Sequence, residues 1–200
     1  MTTLSERTDL RRASIVEAAH RLLVRRGFQD VVLDEVAREA GVAKGTLFLY
    51  FKTKDELFSA AFGDLVDRLG AQLDDLASSG LEGEALLEAT AATILTHFDR
   101  NADFLSQFSA GRFPSCGERS CGRLMEKFSG NIRRLASLLA RATKRTGPHL
   151  AEPETSAVVL FGLCRSAFLL KRLTGRERSP QASTRWVVDQ FLFGSRGRPR

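Results

Sequence analysis

No stretch of this sequence stays apolar for the roughly 20 residues that a helix needs to cross a bilayer. Nor does it open on a basic segment followed by an apolar run and a small-residue cleavage site. These absences lead us to expect a cytoplasmic chain with no membrane partner. Cysteine is scarce. Cys116, Cys121 and Cys164 are too few, and odd in number, for the disulfide framework of a small secreted domain. Cys116 and Cys121 do not have the CxxC spacing of zinc ribbons or thioredoxin-like motifs. We expect reduced thiols, with a redox or electrophile switch at Cys116 and Cys121 as the alternative. HExxH, a nucleophile elbow, a phosphate loop and paired metal ligands are all missing, and His20, His97 and His149 are widely separated. No enzyme activity, metal or cofactor is therefore expected, and His20 reads as structural or solvent-facing.

Proline is also rare, and no alternating apolar–polar segment with hairpin turns occurs, so the fold class is all-α. In a first helix from Thr8 to Arg26, Ile15, Ala18, Leu22 and Leu23 recur at three- and four-residue spacing, and Gly27 follows where a left-handed residue ends a helix. Leu33 to Ala40 and Ala43 to Phe51 are two short helices broken at Gly41. Thr53 and Glu56 have the spacing of a capping box that opens a fourth helix through Leu57, Ala61, Leu65 and Leu69. Longer helices are predicted over Leu81 to Phe108, Arg123 to Thr146 (closed by Gly147 and Pro148), Glu154 to Leu173 and Ser183 to Phe193. Between them, Gly111 to Gly122 reads as a loop with at most one short helix, and residues 195–200 as a disordered tail.

The pair of short helices has the internal logic of a helix-turn-helix. Where they cross, the first must offer a side chain no larger than a methyl, which Ala37 supplies. The turn needs a residue tolerant of positive φ, which Gly41 supplies. Val36, Ala40, Val42 and Leu47 then face a small core against the first helix. A formal net charge of +6 is compatible with nucleic acid, yet residues 1–60 hold ten Lys/Arg against nine Asp/Glu. Placement of charge, rather than its amount, must carry any DNA contact.

Around this core, Val36-Ala37, Ala40-Gly41-Val42-Ala43, Gly45-Thr46-Leu47-Phe48, Tyr50-Phe51 and Thr53-Lys54-Asp55-Glu56-Leu57 resemble the TetR-family signature, with Ile15, Ala18-Ala19, Leu22-Leu23 and Gly27-Phe28 upstream. The resemblance covers about the first 65 residues. It implies a DNA-binding domain over residues 9–69, with its helix-turn-helix in about 32–51, and a ligand-sensing and dimerisation domain over 70–194. The third helix would be the recognition helix, entering the major groove. Lys44, Gly45, Thr46 and Phe48 would face bases or nearby phosphates, Lys44 reaching guanine O6 and N7, and Thr46 or Phe48 a thymine methyl. Tyr50 and Lys54 would clamp phosphates, Lys54 aided by the dipole of the fourth helix, with Arg38 as a further candidate.

Three residues depart from the family pattern. Val32 replaces a capping Thr or Ser, Phe48 a Tyr, and Leu49 a residue that is often polar. Leu49 is open between DNA contact and packing against the first helix.

In the second half the resemblance implies that the last two helices pair between subunits as a four-helix bundle, with Phe161, Leu170, Val187, Val188 and Phe191 as candidate dimer contacts. Phe98, Phe104, Phe108, Phe128, Phe161 and Phe168 are candidates to line a pocket for a small, mostly apolar effector. A basic stretch over residues 112–145, with nine Arg/Lys and two Glu, leaves room for an anionic one. The implied partners are thus palindromic operator DNA, a second copy of the chain and an effector, and the implied function is a transcriptional repressor released by that effector.

Overall fold

A computed structural model describes residues 4–102, 105, 118–143, 152–175 and 178–194. Among these residues there are helices and no strands: α1 (Leu4–Asp30), α2 (Leu33–Glu39), α3 (Lys44–Tyr50), α4 (Lys54–Ser78), α5 (Gly83–Arg100), α6 (Glu118–Thr143), α7 (Pro153–Thr174) and α8 (Pro180–Phe193). They fall into two compact units, Met1–Val66 with Asn101–Glu126, and Asp67–Arg100 with Lys127–Arg200. The order and type of the helices agree with the periodicity, except that the helix predicted over Leu81 to Phe108 ends at Arg100, with a turn at Asn101.

In the first unit the apolar stripe of α1, including Ile15, Ala18, Ala19, Leu22 and Leu23, is buried, as are Val36 and Ala37 of α2, Leu47 of α3 and Leu57, Ala61 and Leu65 of α4. Burying a leucine of this kind stabilises a fold by about 2 kcal/mol. Gly27 has φ of 78°, the positive φ expected, but with ψ of 169° it kinks α1, which resumes and runs to Asp30. Gly41 has φ of 66° and closes the α2–α3 turn, where the Val42 N–H donates to the Ala37 carbonyl at 2.9 Å. At the start of α4 the Glu56 N–H donates to Thr53 Oγ1 at 3.1 Å. The Glu56 carboxylate reaches one residue further back than a standard capping box, accepting from the Lys52 N–H at 2.7 Å.

In the second unit α5 packs against α7 and α8, which pack on each other. Ala157, Leu160, Cys164 and Phe168 form the buried stripe of α7, and Leu86, Leu87, Ile94 and Phe98 that of α5. Gly175, with φ of 63°, ends α7, its N–H donating to the Lys171 carbonyl at 3.0 Å. Helix α8 starts three residues before the predicted Ser183 because Ser179 caps it, accepting from the Ala182 N–H at 3.2 Å, and Pro180 takes the first helical position. Likewise α6 begins at Glu118, inside the segment predicted as loop.

Helix α6 runs parallel to the second half of α4 and the turn after it, along a ladder of heptad spacing. Lys127 pairs with Asp67, Arg134 with Asp74 at 2.9 Å, and Arg141 donates to the Leu81 carbonyl at 3.1 Å, each pair 60 positions apart. Gly70 lies between the first two rungs, and a Cβ there would stand 2.7 Å from Oδ1 of the buried Asn131. Gly70→Val is therefore expected to cost about 1–3 kcal/mol of stability. Chemical denaturation checks this, and an unchanged midpoint would refute the close approach.

Candidate nucleic-acid interface

Only Leu47 of α3 is buried, and it anchors the helix to the core of its unit. On either side of it the remaining residues of the helix are exposed or half-buried. Lys44 and Gly45 are exposed, Thr46, Phe48 and Tyr50 are half-buried, and Leu49 is 76% exposed. That figure settles the choice left open by the sequence: Leu49 does not pack against α1. Val32 is likewise exposed, and no side chain caps α2 at this position. A Cβ on Gly45 would meet nothing within 4 Å, so the space above its backbone is open.

Each lysine of this face holds a partner within the chain. Lys44 Nζ lies 2.8 Å from the Asp34 carboxylate on α2, with both side chains more than half exposed. Lys54 donates to the Gln29 carbonyl at 3.0 Å, and partial burial lowers its pKa below the ordinary lysine value. Lys52, which sequence reasoning passed over, donates to the Phe48 carbonyl at 2.8 Å and so ties down the end of α3. Arg12 was also missed; its guanidinium sits 5.1 Å over the ring of buried Phe51. Arg38 is exposed at the end of α2. Helix α2 is laced to α1 by Arg26–Glu35 at 2.8 Å and Arg21–Glu39 at 3.0 Å, and the hydrogen bond from Arg26 lowers the Glu35 pKa. His20 is partly buried, its Nε2 3.1 Å from Asn101 Oδ1.

Two short helices around a positive-φ glycine, one offering an uncovered lysine-bearing face, form a helix-turn-helix. The family model of bacterial regulatory proteins of the tetR family matches residues 15–61, which span this motif. Residues 15–61 carry the helix-turn-helix domain of the TetR family. With this domain, the chain is a helix-turn-helix transcriptional regulator. It is similar to an uncharacterized HTH-type transcriptional regulator of Mycobacterium tuberculosis, 26% identical over 94% of this chain and 86% of that protein. Its fold is that of the fatty acid degradation regulator FadR from Bacillus halodurans, with a TM-score of 0.74 at 17% identity over 94% and 97% of the two chains. FadR from Bacillus subtilis, solved in complex with stearoyl-CoA, shares it with a TM-score of 0.69 at 15% identity over 91% and 98%.

Of the predicted effector residues, Phe98, Phe161 and Phe168 come together. Phe98 meets Phe161 edge-on with ring centroids 5.4 Å apart and Phe168 at 5.7 Å. Phe128 is half-buried on α6, and Phe104 and Phe108 lie outside the described residues.

Two of the expected dimer contacts need correction. Val187 and Val188 are buried in the chain's own core and present no surface to a second copy. Phe161 and Phe191 are half-buried, whereas Leu170 is exposed together with Val159 and Leu173 on the side of α7 opposite its buried stripe.

Cys116 lies outside the described residues. Cys121 is disulfide-bonded, a departure from the expected reduced thiol, while Cys164 is free, its thiol pushed up to about 12 by burial. Among the described residues no three His, Cys, Asp or Glu side chains are grouped to hold a metal, and no helix is long and apolar enough to cross a membrane. His149 and residues 195–200 lie outside the described residues.

Proposed function

We propose that the chain is a repressor that binds a palindromic operator as a homodimer and leaves it when a small, mostly apolar effector binds the second unit. The observation that carries this reading is the face of α3, where Leu47 alone is buried and Leu49 projects into solvent. An exposed leucine on a short polar-flanked helix is matched by an apolar partner, and the thymine methyl is the apolar group of the major groove. Lys44 then supplies donors for guanine, and Tyr50, Lys54 and Arg38 hold phosphates. One such motif makes too few contacts for specific binding, so two are required, about 34–36 Å apart.

The second copy docks on the exposed stripe of α7, Val159, Leu170 and Leu173, with Phe191 of α8 at its side. The effector occupies the region of Phe98, Phe161 and Phe168, with Phe128 of the same unit as a further candidate. The stearoyl-CoA complex of a protein of the same fold favours an acyl chain as the first ligand class to try. Release follows if the ligand prefers a conformation with misplaced recognition helices, by a coupling energy of about 1–3 kcal/mol.

Random-site selection with the purified protein is expected to enrich an inverted repeat. Lys44→Ala should then relax preference at one base pair per half-site, a loss of about 1–3 kcal/mol against the selected sequence. Lys54→Ala should weaken all sequences alike and flatten the salt dependence. Enrichment of no repeat would contradict the dimeric operator, and equal effector affinity with and without operator, by calorimetry, would contradict release.

A further inference from the structure

We infer that Asp34 is a specificity-determining residue: its carboxylate occupies the Lys44 ammonium and keeps that charge off DNA phosphates, leaving it for base edges. The inference rests on the DNA-binding reading above. Helix α2 carries three acids, and each holds a base from a neighbouring helix. Glu35 and Glu39 both reach α1, through Arg26 at 2.8 Å and Arg21 at 3.0 Å, and so fasten α2 to it. Asp34 instead holds Lys44, the first residue of α3, at 2.8 Å.

That pair does little for folding. Its side chains are 54% and 61% exposed, and ion pairs this open to water contribute little to stability. Its effect falls on the lysine. A free lysine is a mobile point charge that binds any phosphate and adds to affinity for every sequence. Held by a carboxylate, it gains little by exchanging one anion for another, and the abandoned Asp34 would then face the negative backbone. An ammonium has three donors, so it can keep Asp34 and still give a proton to a guanine acceptor. The acid therefore disfavours the wrong contact while sparing the right one, which is how discrimination is gained against competing partners.

The test is Asp34→Asn in the full chain, titrated by fluorescence anisotropy against the selected operator duplex and a random duplex of equal length over a salt series. The variant is expected to bind random DNA about two- to fivefold more tightly, with a smaller gain on the operator, so that the ratio of the two affinities falls. The salt slope on random DNA should steepen by about one for each lysine set free. Glu39→Gln, which removes a lace between α2 and α1, should leave the ratio as it is. An unchanged ratio in Asp34→Asn, or a parallel loss on both duplexes like that of a weakened fold, overturns the inference. If the unaltered chain binds neither duplex, the DNA-binding reading itself has failed, and the two failures are told apart.

Discussion

Leu47→Ala should lower stability of the first unit by about 2–5 kcal/mol and abolish operator binding at concentrations where the unaltered chain saturates the duplex. Leu47 is fully buried and is the one buried residue of a seven-residue helix. Helix α3 is too short to persist alone, since isolated helices below about 12 residues are marginal in water. Its conformation comes from this anchor, from the Val42–Ala37 turn bond and from Lys52 holding the Phe48 carbonyl. Removing the isobutyl group leaves a cavity, and small folds have only about 5–15 kcal/mol in total. Thermal melting and anisotropy on one preparation check both parts. Unimpaired binding by the variant would mean that α3 does not depend on its packing to hold its face.

The second large effect concerns assembly. Leu170→Asp with Leu173→Asp should convert the protein to a folded monomer and weaken operator binding at least about a hundredfold, because two linked half-site contacts become one. Leu173 is 83% exposed and Leu170 is 43% exposed, so an isolated chain loses almost no packing when they become acidic. A pair of copies that buries them would face uncompensated carboxylates. Light scattering gives the mass and circular dichroism the fold. A variant that stays dimeric would remove α7 from the interface. Val187→Asp is no substitute test, since Val187 is buried and its loss would unfold the chain.

The contrast between those valines and leucines marks how far sequence reasoning reaches. Periodicity identifies α7 and α8 and says that each has an apolar stripe. It does not say whether a stripe meets its own chain or another, because the same transfer free energy drives both. Val187 and Val188 went to the chain's own core, while Val159 and Leu173 remained outside.

The helix-turn-helix was legible in more detail, since Ala37 and Gly41 satisfy steric demands that only small residues meet. Leu49 was not legible. Its apolar side chain suggests burial while its place two positions from Leu47 points it away from the core, and the packed structure leaves it outward. The partners of the lysines were hidden for another reason. Lys44–Asp34 and Lys54–Gln29 join residues 10 and 25 positions apart across turns, where no helical spacing rule applies. Boundaries moved where proline and glycine act as starts rather than stops, as Pro180 does behind the Ser179 cap.

Salt-dependent affinity for duplex DNA tests the central claim most directly. With Lys54, Tyr50 and Arg38 set against phosphates in two copies, as proposed, the logarithm of the binding constant should fall linearly and steeply with the logarithm of salt concentration. A chain that shows no affinity for duplex DNA at low salt, or an affinity that salt leaves unchanged, would contradict the account and leave a helical fold without its interface.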